Sequence, residues 1–178
     1  GELSNSAKAI GTALAKLDCY KEPDIVSMDK SPDTVAAFMG VIYSGCYYVP
    51  IDEEMPKSRI DLIIRGLNPK QIICQQKIAD RIEEFTDCKN ILVYEELIKE
   101  EIDEAVLTDI RNKQLDTDPI YIVFTSGSTG IPKGVIACHR SVIDYIETLS
   151  EVLEVSDETV FGNQTPLYVD ACLKEVYT

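Results

Sequence analysis

The stretch 120–135 reads Ile-Tyr-Ile-Val-Phe-Thr-Ser-Gly-Ser-Thr-Gly-Ile-Pro-Lys-Gly-Val. Its first half, rich in β-branched and aromatic residues, reads as a strand. It runs into hydroxyl side chains and glycines, with Lys133 just beyond. Each of these parts suits an anion. Glycine lets backbone N–H groups converge where a Cβ would block the approach, the hydroxyls add hydrogen bonds, and the ammonium supplies a full charge. The spacing excludes the commonest phosphate loop, Gly-x-x-x-x-Gly-Lys-Ser/Thr, because Gly130 is followed by Ile131, Pro132, Lys133 and Gly134. The plain alternative is a flexible polar surface loop with an incidental lysine.

Around this stretch, short apolar runs alternate with amphipathic ones. Helices are expected over 3–17, from Ser31-Pro32-Asp33 to Ile42, from Pro56 to a stop near Gly66, over 79–85 and over 141–153, with Pro32 suited to a first turn. Strands are expected over 24–28, 47–49, 71–74, 90–94, 120–124 and 159–161. The charged segment 95–118 reads equally as a surface helix or an irregular connection. Such alternation implies an α/β fold, a layered and mainly parallel sheet flanked by helices with right-handed crossovers. A strand, a glycine loop and then a helix is the arrangement in which anions are bound.

A chain of 178 residues fits one domain and can bury roughly 70% of its unfolded surface. Apolar residues make up 45% and charged ones 27%, an ordinary globular balance. No window approaches the roughly 18 consecutive apolar residues of a membrane span, and the start lacks the pattern of a secretory signal. The formal charge of -14 argues against nucleic acid as a partner. It also means that a nucleotide must be held by a local arrangement working against the field of the whole molecule, with magnesium to help. Six cysteines, with no Cys-x-x-Cys pair and one histidine, indicate neither a zinc site nor a disulfide framework; reduced thiols and a cytoplasmic location are expected. Adjacent Cys138 and His139 do not make a catalytic pair.

Thr-Ser-Gly-Ser-Thr-Gly-x-Pro-Lys-Gly, from Thr125 to Gly134, resembles the signature of the adenylate-forming (AMP-binding) enzymes, which include nonribosomal peptide synthetase adenylation domains, acyl-CoA synthetases and D-alanine:carrier-protein ligases. The stretch Gly45-Cys-Tyr-Tyr-Val-Pro-Ile-Asp52 followed by Pro56-x-x-Arg59-Ile60 is similar to a second motif of the amino-acid-activating members, and Gly1-Glu2-Leu3 to the end of a third. The null for the second motif is a packed strand leading to a Pro turn, and no catalytic role is assigned to it. The resemblance implies that residues 1–178 are a partial N-terminal subdomain of an adenylation domain, truncated at both ends. It also implies that Thr125, Ser126, Gly127, Ser128, Thr129, Gly130 and Lys133 hold the phosphates of ATP, with Mg²⁺ offsetting their charge; the residues that ligate the metal are unknown.

Val169-Asp170-Ala171-Cys172 resembles the family's Phe-Asp-x-Ser segment, whose aspartate pairs with a substrate's α-ammonium group. Val169 and Cys172 depart from it. Asp170 would be that aspartate, since an ammonium entering a partly apolar pocket must regain its lost hydration; a solvated or capping aspartate is the alternative. Ala171 and Lys174 would line the same pocket. Lys174 stands where many relatives carry an aromatic residue and would favour an acidic side chain, or it is a surface cation paired with Glu175. The implied whole protein is an ATP-dependent ligase that forms an aminoacyl-adenylate and passes it to the phosphopantetheine thiol of a carrier protein. No catalytic residue is expected within these residues, so the isolated chain should be inactive. The alternatives are an acyl-CoA synthetase-type ligase and a non-catalytic nucleotide-binding or interaction protein.

Overall fold

The computed structural model describes residues 1–52, 54–83, 86, 88, 90–125 and 131–178. Strands β1 (Pro23–Ser27), β2 (Tyr47–Pro50), β3 (Gln71–Cys74), β4 (Ile91–Val93), β5 (Pro119–Thr125) and β6 (Lys133–Cys138) form one sheet in the order β4-β3-β1-β2-β5-β6. The first five run parallel and β6 lies antiparallel on β5. This is the expected α/β layering.

Strands β1, β2, β3 and β5 are buried on both faces because both are covered there, whereas the edge strand β6 is largely exposed. Val26, Tyr48, Ile73, Tyr121 and Val123 point into one core, which is capped by α1 (Glu2–Ala15), α2 (Pro32–Tyr43), α5 (Tyr94–Leu97) and α7 (His139–Val152). Ile25, Val49, Ile72 and Ile122 point into the other, beneath α3 (Lys57–Leu67) and α4 (Ala79–Glu83). The winding reverses at β1. The chain steps from β1 to β2 through α2 on one face, then returns past β1 to β3 through α3 on the other. Loops leaving the C-terminal ends of β1 and β2 therefore diverge and leave a crevice between them, the place where open α/β sheets bind ligands.

Local chemistry explains the boundaries. Close approach of α1 to α2 needs Gly40, where a Cβ would lie 2.5 Å from Ile10. Helix α3 runs past the expected stop at Gly66 to Leu67, because Asn68 takes the left-handed conformation (φ 48°) that terminates it. The expected helix over 79–85 begins earlier, as a 3-10 turn over Gln76–Ile78, and its residue 85 lies outside the described residues. Tyr94 ends the fourth strand by opening α5, and the ambiguous 95–118 contains α6 (Glu104–Lys113), capped by Asp103 Oδ1 accepting from the Ala105 and Val106 amides at 3.0 and 3.1 Å.

Two expectations are overturned. Residues 159–161 form no strand: Ser156 and Thr159 close a turn on each other, and Val160 stands 92% exposed with nothing to pair against. The glycine-rich stretch leads into strand β6, a hairpin partner of β5, and not directly into a helix. Helix α7 consequently starts beside Pro119, at the opposite end of β5 from Thr125. Its first amides are occupied, His139 N donating to Asp118 O at 3.1 Å and Arg140 N to Asp116 O at 2.7 Å. That helix terminus cannot serve an anion held at the hairpin, and Arg140, ion-paired with Asp116, cannot assist there.

One polar pair lies inside the sheet. Asp24 on β1 faces Gln71 on β3; both are fully buried, and neither side chain has a hydrogen-bond partner among the described residues. Burial, helped by the Glu22 charge and only partly offset by the nearby Cys46 thiol, which makes no hydrogen bond of normal geometry to it, raises the Asp24 carboxyl to about 7. The folded chain thus keeps a proton that the unfolded chain releases near the ordinary 3.8, so this group's contribution is complete below that value and is lost as pH rises towards 7. A shift of this size is worth up to roughly 4 kcal/mol. Asp24→Asn is expected to widen its stability advantage over the unsubstituted chain between pH 4 and 7 and hold it constant above; parallel thermal-melting curves across that range would refute the assignment.

Candidate active site

The crevice at the C-terminal ends of β1, β2 and β5 is built from two adjoining cavities. One, of about 350 Å³, lies between Met28, Asp29 and Lys30 after β1 and Ile51, Asp52 and Glu54 after β2, closed by Gln164 and Leu167. The other, of about 620 Å³, is lined by Asp52, Glu54, Arg59, Phe124, Thr125, Tyr168 and Asp170. They share Asp52, Glu54 and Tyr168. The Tyr168 hydroxyl is pushed above its ordinary range by desolvation, then by the charge of Asp52 and a hydrogen bond to it.

The hairpin brings the two ends of the glycine-rich stretch together. Thr125 and Lys133 are register partners, and Thr125 Oγ1 donates to Lys133 O at 3.4 Å. Lys133 is exposed and joins none of the ion pairs between described residues. Gly134 sits where a Cβ would come within 2.8 Å of Ile122 and 3.3 Å of the Phe124 ring, so the hairpin is closely packed at its root. Ser126, Gly127, Ser128, Thr129 and Gly130, the remaining phosphate-loop candidates, lie outside the described residues.

Asp170 opens a 3-10 turn over Asp170–Cys172 that leads into α8 (Leu173–Tyr177). It is exposed and borders two spaces at once. On one side is the cavity that Thr125 lines; on the other is a pocket of about 440 Å³ formed with Ala171, Tyr121, Ser141, Val142, Tyr145 and Leu173. Asp170 and Ala171 are therefore brought together. Lys174 lines none of the cavities described here; its ammonium lies 3.4 Å from Glu175 and its side chain is 45% exposed.

The segment bearing Asp170 is docked by specific contacts. The hydroxyls of Tyr48 and Tyr177 share a 2.8 Å hydrogen bond, Lys30 Nζ donates to Asn163 O at 2.8 Å, and Phe38 stacks on Tyr48 with centroids 4.1 Å apart. Cys172 is 2% exposed and its thiol donates to Leu167 O at 3.6 Å. A cysteine here keeps a donor where the family pattern has serine. Arg59, Asp52 and Tyr168 join the site without having been assigned roles from sequence; the only signals were the Pro-x-x-Arg-Ile spacing and the place of Tyr168 beside Asp170.

The AMP-binding enzyme model matches residues 1–178. This chain belongs to that family. It is 33% identical over 99% of its length to the D-alanine--D-alanyl carrier protein ligase of Listeria welshimeri, covering 35% of that protein. It is 29% identical over 85% of its length to a dimodular nonribosomal peptide synthase of Bacillus subtilis, covering 6% of it. The family member described here spans about a third of the length of its carrier-protein-ligase relatives. Among solved structures, the nonribosomal peptide synthetase FmoA3 superposes with a TM-score of 0.86 at 24% identity, over 98% of this chain and 18% of the other. VinN in complex with L-aspartate superposes with 0.81 at 23%, over 98% and 50%. At these identities the superpositions establish the shared fold. All six cysteines are free, and no described helix is long and apolar enough to cross a membrane.

Removing either hydroxyl of the Tyr48–Tyr177 pair should cost about 1–2 kcal/mol, because the partner is left buried and unmatched. Urea unfolding of Tyr48→Phe, Tyr177→Phe and the double variant should show the double costing less than the two singles together; strict additivity would mean that the pair does not couple.

Proposed function

We propose that these residues form part of the N-terminal subdomain of an ATP-dependent ligase that activates an amino acid as its adenylate and delivers it to a carrier-protein thiol. One observation carries the reading: Asp170 borders both the cavity lined by Thr125 and the pocket lined by Ala171. A substrate whose ammonium pairs with Asp170 has its carboxylate within the length of an amino acid of that carboxyl. It can thus point toward the hairpin while its side chain occupies the pocket. A fatty acid offers no such ammonium, which argues against an acyl-CoA synthetase.

In the proposed reaction a substrate carboxylate oxygen attacks the α-phosphorus of ATP and the bond from that phosphorus to the bridging oxygen breaks. Pyrophosphate leaves and a mixed anhydride remains. A carrier phosphopantetheine thiol, losing its proton, then attacks the acyl carbon and AMP departs. The described residues serve by binding and charge neutralisation, Lys133 and Thr125 at the phosphates and Asp170 at the ammonium. Mg²⁺ would supply further neutralisation. Free thiols fit a cytoplasmic setting.

An acidic side chain on the substrate is the finer proposal. A fold shared with a protein solved with L-aspartate supports it; the place of Lys174 outside the pocket lined by Ala171, paired with Glu175, opposes it.

In the full-length polypeptide, amino-acid-dependent pyrophosphate exchange is expected. Losing a charge-assisted contact costs about 10- to 100-fold, so Lys133→Ala should raise KM for ATP by that factor and Asp170→Ala should do so for the amino acid. Exchange supported by fatty acids alone, or an Asp170→Ala variant with unchanged amino-acid KM, would refute the reading. Lys174→Ala with an unchanged preference for acidic side chains would defeat the finer proposal, and robust exchange by residues 1–178 alone would contradict their assignment as a partial site.

A further inference from the structure

The geometry points to Arg59 as a positioning residue for the nucleotide phosphates, acting through the backbone from which the phosphate loop departs. This rests on the ATP reading above and adds a residue to which that reading gives no role.

Arg59 lies in the first turn of α3, where the Arg59 and Ile60 amides donate to Pro56 O at 2.8 and 3.2 Å. Ile60 and Ile63, 2% and 1% exposed, fix the helix against the sheet in the same core as Ile122. From this base Arg59 Nη2 reaches across to donate to Phe124 O at 3.3 Å. Phe124 is the last residue before Thr125, and the glycine-rich stretch begins directly after Thr125. The guanidinium therefore holds the end of β5 at the point where the chain leaves the sheet, while Thr125 and Gly134 secure the other side of the hairpin.

Two further observations separate this from an incidental surface contact. Among the described residues lining the cavity of about 620 Å³, Arg59 is the only cation, and the other charged ones are Asp52, Glu54 and Asp170. In a chain of formal charge -14, a cation at that spot offsets local repulsion of a polyphosphate. Its Nε, moreover, is buried and without a hydrogen-bond partner among the described residues. That unmet donor is a cost the chain carries to keep the guanidinium seated against Phe124 O. Lysine cannot reproduce this, because the function uses the forked geometry of the group.

The test uses the full-length polypeptide in pyrophosphate exchange. Arg59→Ala should raise KM for ATP about tenfold or more, leave KM for the amino acid within about twofold and leave the melting temperature nearly unchanged. Added guanidinium at millimolar concentration should restore ATP affinity, and Arg59→Lys should recover only part of it. Should the Ala variant fail to fold, Arg59→Gln, which keeps length and an amide donor, carries the same readouts. Unchanged KM for ATP overturns the inference, as does a parallel rise in both KM values with a fall in melting temperature and no guanidinium rescue. If the unsubstituted protein supports no pyrophosphate exchange with any amino or other carboxylic acid, the ATP reading fails and this inference with it; an active parent with an indifferent Arg59 fails this inference alone.

Discussion

The site depends on a sheet buried on both faces whose winding reverses at β1. Because right-handed crossovers carry α2 and α3 to opposite faces, the loops after β1 and β2 must separate, and a crevice opens without any residue being spent on making it. Among the described residues, Asp52 after β2, Thr125 at the end of β5 with its register partner Lys133 at the start of β6, and the segment with Tyr168 and Asp170 lie along that line of strand ends. The opposite end of β5 carries the start of α7 and the Arg140–Asp116 pair, which are spent on closing the fold.

The chain achieves this with large local compromises. Asp24 and Gln71 are buried without partners in the centre of the sheet, and the carboxyl stays protonated towards neutral pH in consequence. The groups that dock the C-terminal segment are matched instead: the Tyr48 hydroxyl with that of Tyr177, and the Cys172 thiol with the backbone.

Family membership gives this arrangement its functional sense, and the geometry says which parts act together. Thr125 and Asp170, far apart in sequence, line one cavity, while Lys174, close to Asp170 in the chain, turns to Glu175. Proximity along the chain was a poor guide to proximity in the site. Arg59 makes the same point from the other side, reaching the end of β5 at Phe124 O from α3.

Local pattern alone determined the elements and their class. Apolar runs long enough for strands, separated by amphipathic stretches, demand a mainly parallel sheet flanked by helices, because this follows from side-chain periodicity within a few residues. Only the tertiary structure decided that 133–138 pairs with β5, that 159–161 finds no partner, that α7 opens away from the loop, and that Arg59 and Tyr168 face the crevice. Val135 and Val160 are the same residue type in similar surroundings; one is a strand because a neighbouring strand offers it hydrogen bonds, and the other is not. Strand pairing and cavity lining are contacts between distant segments, and a residue's own neighbours in sequence carry no record of them.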